Sequence, residues 1–111
     1  MEQRTKECPE VTIHLLPLHD DLHQELCIED LRNITKLVLA ELDTGGSVLV
    51  HCAQGRSRSS TVVVSIMCWA RQLSVQTSLA FIREKRSMAE PNSNFVNQLQ
   101  QFEKLEYFTK L

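Results

Sequence analysis

The chain has 111 residues, room for one hydrophobic core and no second, because single domains take roughly 100 to 200 residues. Its 42% hydrophobic and 23% charged residues fit a soluble globular chain and exclude disordered, collagenous and coiled-coil classes. A formal charge of −2, from 12 cationic and 14 anionic side chains, lacks the overall basicity that sequence-independent binding to polyphosphate backbones demands, so no nucleic-acid partner is expected.

The first ten residues (MEQRTKECPE) are polar and carry no apolar signal core, and no run reaches the roughly 18 apolar residues needed to span a bilayer. A cytoplasmic or nuclear location is therefore expected, with Cys8, Cys27, Cys52 and Cys68 as free thiols. Val11 to Leu18 (VTIHLLPL) reads as a strand that Pro17 closes, since proline cannot donate to a sheet ladder. A polar connection follows. From Ile28 to Leu42 the apolar positions Leu31, Ile34, Val38 and Leu42 recur at helical spacing, with Glu29 and Asp30 at the positive end of the dipole and Gly45-Gly46 as the stop.

Ser47 to His51 (SVLVH) is a short apolar run bounded by glycines, which predicts a strand buried on both faces. Ser59 to Arg71 is apolar nearly all round and predicts a central buried helix. Ser74 is placed to cap a third helix that runs through Val75, Leu79 and Ile82 toward Arg86. Pro91 and Asn92 precede a fourth, with Phe95, Leu99, Phe102 and Leu105 as its inward stripe. A strand, helix, strand series implies α/β architecture: a parallel-containing sheet flanked by helices, with a right-handed crossover. Two strands alone are too few, so either the first ten residues add to the sheet or part of the usual domain is absent.

The segment His51 to Ser59 (HCAQGRSRS) leaves the predicted central strand and enters the apolar helix. A tight loop ahead of a helix aims successive backbone N–H groups into one concavity, and the dipole adds positive potential, a site suited to a tetrahedral dianion. Ala53, Gln54, Gly55, Arg56, Ser57 and Arg58 form this phosphate-binding loop, and Arg58 is placed to grip two phosphate oxygens with its planar fork. A cysteine at the start of such a loop has its thiolate stabilised by the same donors, below the free value of about 8.5, and is a nucleophile at neutral pH. Ser59 is positioned to donate to that sulfur when the thiolate departs, with Ser60 as the weaker candidate.

HCAQGRSRSS resembles the H-C-x5-R-S signature of cysteine-dependent protein phosphatases, in the G-x-S-R-S form of dual-specificity phosphatases. Pro17-Leu18-His19-Asp20 is similar to that family's acid-bearing loop, and Glu90-Pro91-Asn92-Ser93-Asn94-Phe95 with Gln98-Leu99 to its P-N-x-x-F-x-x-Q-L segment. The resemblance implies a single catalytic domain over residues 1–111 that lacks part of the family's N-terminal region. It implies Cys52 as nucleophile, Arg58 as phosphate clamp, Ser59 as the hydroxyl aiding breakdown of the intermediate, and Asp20 as general acid, with Asp21 as the alternative because the doublet leaves the register open by one. Arg56 departs from the family, standing where an apolar or aromatic residue is usual.

Plainer readings compete. A papain-like Cys-His pair is disfavoured because adjacent residues on a strand point to opposite faces, and no G-x-x-x-x-G-K-[ST] nucleotide motif is present. His14, His19 and His23 with Asp20 and Asp21 read as surface residues of a loop stretch rather than metal ligands, and neither metal nor cofactor is expected. The Arg83, Glu84, Lys85, Arg86 cluster reads as a solvated helix end. The expected function is hydrolysis of phosphotyrosine and phosphoserine or phosphothreonine in proteins through a cysteinyl-phosphate. The alternatives are a phosphate-binding module with little turnover, or a phosphatase of a phosphoinositide or an RNA 5′ phosphate.

Overall fold

A computed structural model describes residues 2–4, 12–16, 18–52, 57–87, 90–109 and 111. Its elements are strands β1 (Glu2–Arg4) and β2 (Thr12–His14) and helices α1 (Ile28–Asp43), α2 (Arg58–Arg71), α3 (Val75–Lys85) and α4 (Ser93–Lys104). Cys8, Pro17 and the loop positions Ala53, Gln54, Gly55 and Arg56 lie outside the described residues.

Helix α2 is the hub, touching α1, α3 and α4, while α3 and α4 also meet each other. Its buried side is built from small hydroxyl residues as much as from apolar ones: Ser59, Ser60, Thr61 and Ser65 are buried beside Val62, Val64, Cys68 and Trp69. Those hydroxyls are tolerated in the interior because they bond back onto their own helix. Thr61 Oγ1 donates to the Ser57 carbonyl at 2.7 Å and Ser65 Oγ to that of Thr61 at 3.1 Å. The core around α2 gathers Leu31 from α1, Val75 and Leu79 from α3, Phe95 and Leu99 from α4, and Leu26 and Phe108 from the flanking turns.

Each helix end has a local cause. Gly45 stops α1 with φ +85, a left-handed conformation that a side chain would strain. Ser74 caps α3 by accepting from Thr77 N at 3.0 Å, and Glu103 of α4 accepts from Val75 N at 2.8 Å, so α4 satisfies a second orphan donor of α3. Asn92 caps α4 by accepting from Phe95 N at 2.8 Å.

Three expectations are corrected. The sheet among the described residues is a two-stranded antiparallel pair, with Glu2 opposite His14 and Arg4 opposite Thr12, not a parallel pair spanning a crossover. The N-terminal residues supply the partner strand, and two segments close in sequence pair with less loop-closure entropy than a crossover requires. Ser47 to His51 forms no strand: Leu49 is 82% exposed, and Val50 alone of the three apolar residues packs against the core. Finally, Leu105 is not on the inward stripe of α4 but 58% exposed just past its end. The chain reverses at Glu106 (φ 62) and delivers Phe108 instead, edge-on to Trp69 with ring centroids 4.8 Å apart.

Candidate active site

Ser57 occupies the N-cap position of α2, a place where a serine side chain normally accepts from the second or third N–H of its helix. Here it makes no such bond. The second N–H, that of Ser59, points at the sulfur of Cys52 at 3.4 Å, and the Ser59 hydroxyl lies 3.5 Å from the same sulfur. The half-buried Cys52 thus takes the place of the capping oxygen at the positive end of a 14-residue helix with no acidic residue in its first turn. Ser60, the weaker of the two hydroxyl candidates, donates to the Ser57 carbonyl at 3.1 Å.

The hydroxyl that Ser57 withholds from its helix is used elsewhere. It accepts from Asn92 N at 2.9 Å and hydrogen-bonds to the Asp20 carboxylate. Asn92 Nδ2 donates to Asp20 Oδ1 at 2.9 Å and to the Asp21 carbonyl at 3.2 Å. The Asn92 amide and then the Ser57 hydroxyl hold the Asp20 carboxyl below the ordinary aspartate value; desolvation opposes them, and the Arg58 guanidinium adds a further lowering. Asp21 turns the other way, its Oδ1 accepting from His23 N at 2.8 Å in a local turn. Of the doublet, the residue joined to Ser57 and Arg58 is Asp20.

Three consecutive residues at the head of α2 therefore hold three different parts. Ser57 bonds the carboxylate, Arg58 supplies the cation, and Ser59 touches the sulfur. Arg58 Nε is buried and has no hydrogen-bond partner among the described residues, leaving a charged donor for an incoming oxyanion.

Asn92, Asn94 and Gln98, which the sequence marks only as part of a family-like segment with no role assigned, carry the loop that bears Asp20. Asn94 Nδ2 donates to the Gln24 carbonyl at 2.8 Å, and Gln98 Nε2 donates to the same carbonyl at 2.9 Å. Gln98 Oε1 accepts from Leu26 N at 2.7 Å. Loop 20–26 is thus strapped to the first turns of α4 by three amides. Their signal was visible as polar residues at i, i+2 and i+6 beside the buried Phe95, but such a pattern reads equally well as the wet side of an amphipathic helix.

The other two thiols among the described residues are Cys27 and Cys68. Cys27 is exposed at the start of α1, whereas burial pushes the Cys68 thiol up to about 11, against a hydrogen bond with Ser78 and with the Glu103 charge adding to the rise. Among the described residues, no three His, Cys, Asp or Glu side chains gather as metal ligands, and no helix is long and apolar enough to cross a membrane.

The family described as "Dual specificity phosphatase, catalytic domain" matches residues 2–105. Dual specificity phosphatase 28 of Homo sapiens is 32% identical over 102 residues, covering 92% of this chain and 57% of that protein. Dual specificity protein phosphatase 1B of Arabidopsis thaliana is 43% identical over 63 residues, 57% of this chain and 38% of its own. Among solved structures, human tyrosine phosphatase-like serine/threonine/tyrosine-interacting protein superposes with a TM-score of 0.76 at 28% identity, over 83% of this chain and 60% of that one. Human DUSP28 gives a TM-score of 0.75 at 32% identity, over 82% and 61% respectively. The overall architecture is thus that of the α/β phosphatases, and the chain spans 38% to 57% of these two curated relatives and about 60% of these two solved structures.

Proposed function

The chain belongs to the dual-specificity phosphatase catalytic-domain family, and from that premise we propose that it hydrolyses phosphotyrosine and phosphoserine or phosphothreonine in proteins. The observation that most supports the reading is the exchange of capping roles at the head of α2, where Ser59 N–H meets the Cys52 sulfur while Ser57 turns to Asp20. Cys52 attacks phosphorus as thiolate, forming the S–P bond as the P–O bond of the ester breaks. Asp20, protonated for this step, gives its proton to the leaving oxygen. The Arg58 guanidinium grips the equatorial oxygens of the phosphoryl group. Water then attacks the cysteinyl-phosphate, its proton passes to the Asp20 carboxylate, and the S–P electron pair returns to sulfur, which the Ser59 hydroxyl receives by hydrogen bond. A reduced nucleophile fits a cytoplasmic or nuclear setting.

A second reading, a phosphate-binding module with slow turnover, draws on one specific observation. The contacts that hold Asp20 favour its ionised form, which suits the water-activating step better than the protonating one. Turnover of an aryl phosphate in the presence of chelator separates the two. The wild-type chain is expected to turn over and Cys52→Ser to be inactive while still binding an oxyanion; equal activity in both proteins removes Cys52 from the chemistry. Asp20→Ala is expected to slow hydrolysis of an ester with a poor leaving group by about 10²- to 10⁴-fold. A binding module instead gives tight association with a phosphopeptide and no product.

A further inference from the structure

We propose that a cavity beside the acid-bearing loop docks a basic segment of the phosphorylated protein, seating one leucine or phenylalanine side chain that a lysine or arginine flanks. As a substrate-docking site it rests on the phosphatase reading and deepens it by naming the substrate's chemistry outside the phosphate. The binding itself does not depend on turnover.

The cavity measures about 160 Å³. An apolar cavity of about 150 Å³ takes one benzene ring, so this one has room for a single side chain and none for a folded element. Its floor is aliphatic: Leu26 and Leu31 are buried, and Leu16 and Leu18 pack against the same core. The rim is acidic. Glu25 and Asp30 line it with the exposed Cys27, and among the described residues no cationic side chain contributes to the wall. The ion pair at this end of α1 joins Arg32 to Glu29 at 4.0 Å, which leaves Glu25 and Asp30 without a cation among the described residues. The positive end of the α1 dipole amounts to about half a charge, so with Glu25, Glu29 and Asp30 close in sequence the local field stays negative. An acidic ligand is repelled here, and a cation next to an apolar side chain is complementary in both respects.

Position makes the cavity useful to the reaction. Leu18 lies two residues before Asp20, so their Cα atoms are at most about 7 Å apart. Gln24, which also lines the cavity, accepts from His19 N at 3.0 Å and donates to the Glu25 carbonyl at 2.7 Å, joining the rim to the residue before the acid. A segment anchored here therefore brings a phosphorylated residue a few positions away to the site of Asp20 and Cys52, and the anchor makes the second contact an intramolecular event.

The whole chain carrying Cys52→Ser, with an unphosphorylated peptide in which one leucine is flanked by lysine and arginine, reads the binding without turnover. Alkylation of Cys27 by a maleimide, followed by mass mapping of the fragment that contains it, is expected to slow about tenfold at ten times the peptide's Kd. Replacing the peptide's leucine by alanine is expected to weaken binding about tenfold. Glu25→Lys and Asp30→Lys, two variants of exposed residues, are each expected to weaken it about fivefold. With the wild-type nucleophile and the phosphorylated peptide, the same changes are expected to raise KM and to leave kcat and the hydrolysis of a nitrophenyl phosphate unchanged. An unshielded Cys27, or equal shielding by a peptide with glutamates in place of its basic residues, overturns the docking site. So does shielding that rises with protein concentration in the absence of peptide, since a second copy of the chain then fills the cavity. A footprint on Cys27 with no effect on KM overturns the role in substrate docking. If no phosphopeptide is hydrolysed, the phosphatase reading fails by itself and the footprint still decides whether the cavity takes a basic segment.

Discussion

Ser59→Ala tests the contact at the sulfur. The thiol of Cys52 donates to the Ser59 hydroxyl at 3.5 Å, and that hydroxyl turns to donate once the sulfur is ionised; the variant removes it and leaves the backbone N–H at 3.4 Å, so the thiolate loses one of two Ser59 partners and α2 keeps its unusual cap. A hydrogen bond to a charged group contributes about 1.5–3 kcal/mol. Cys52 is half-buried and the contact is long, so the lower end applies: about 1.5 kcal/mol, or about one pH unit at 1.36 kcal/mol per unit. The pH midpoint of iodoacetamide alkylation at Cys52 is therefore expected to rise by about one unit. The same loss falls on the departing thiolate, so breakdown of the cysteinyl-phosphate is expected to slow about tenfold while its formation changes less. Rapid-quench kinetics with an aryl phosphate are then expected to show a larger burst than the wild type, approaching one equivalent. An unmoved alkylation profile together with linear product release would mean that the Ser59 hydroxyl does not serve the sulfur, and the assignment would be withdrawn.

Two further outcomes follow from the same geometry. Arg58→Lys replaces a planar fork by a point charge; losing one arm of a bidentate grip, about 2 kcal/mol, is expected to weaken competitive inhibition by inorganic phosphate about 30-fold, and an unchanged inhibition constant would place the guanidinium outside the anion site. Cys68, raised to about 11 from 9.0 by burial, favours the neutral thiol in the folded state, so its contribution is complete below pH 9 and is lost as pH rises from about 9 to 11, where the unfolded thiol ionises first. That window is worth on the order of 3 kcal/mol, and urea midpoints are expected to fall across it in the wild type and to stay flatter in Cys68→Ala; parallel curves would contradict the assignment.

The helices were legible because each carries a 3.6-residue period and a recognisable start. The residues after Cys27, the Ser74 cap and the Asn92 cap mark boundaries that the structure keeps. The segment from Ser47 to His51 was not legible in the same way. Its apolar run describes what would suit a buried strand, but pairing is decided by neighbours, and β2 instead joins β1. Leu105 continues the stripe of α4 on paper, yet the reversal at Glu106 lies beyond any periodicity and gives the Trp69 contact to Phe108. At the site, the loop chemistry picks out Cys52, Arg58 and Ser59, and the family resemblance adds the acidic doublet. They do not resolve Asp20 from Asp21, because that difference depends on an amide 72 residues away, and no local rule turns the Ser57 hydroxyl from its helix toward that amide.

The exchange of caps has an energetic corollary. A helix end with an uncapped N–H costs about 1 kcal/mol, and an anion near the first turn stabilises a helix by about 0.3–1 kcal/mol. Ser59 N–H is satisfied by Cys52 sulfur, so the helix that favours the thiolate is itself favoured by it. Releasing Ser57 from capping then frees the one hydroxyl that lies between Asn92 and Asp20. Had Ser57 capped α2 in the ordinary way, the sulfur would lose its donor and the carboxylate its tether together. The Cys52 sulfur and the Asp20 carboxylate are thus both placed by a single local choice at residue 57, where segments from three separate parts of the chain meet.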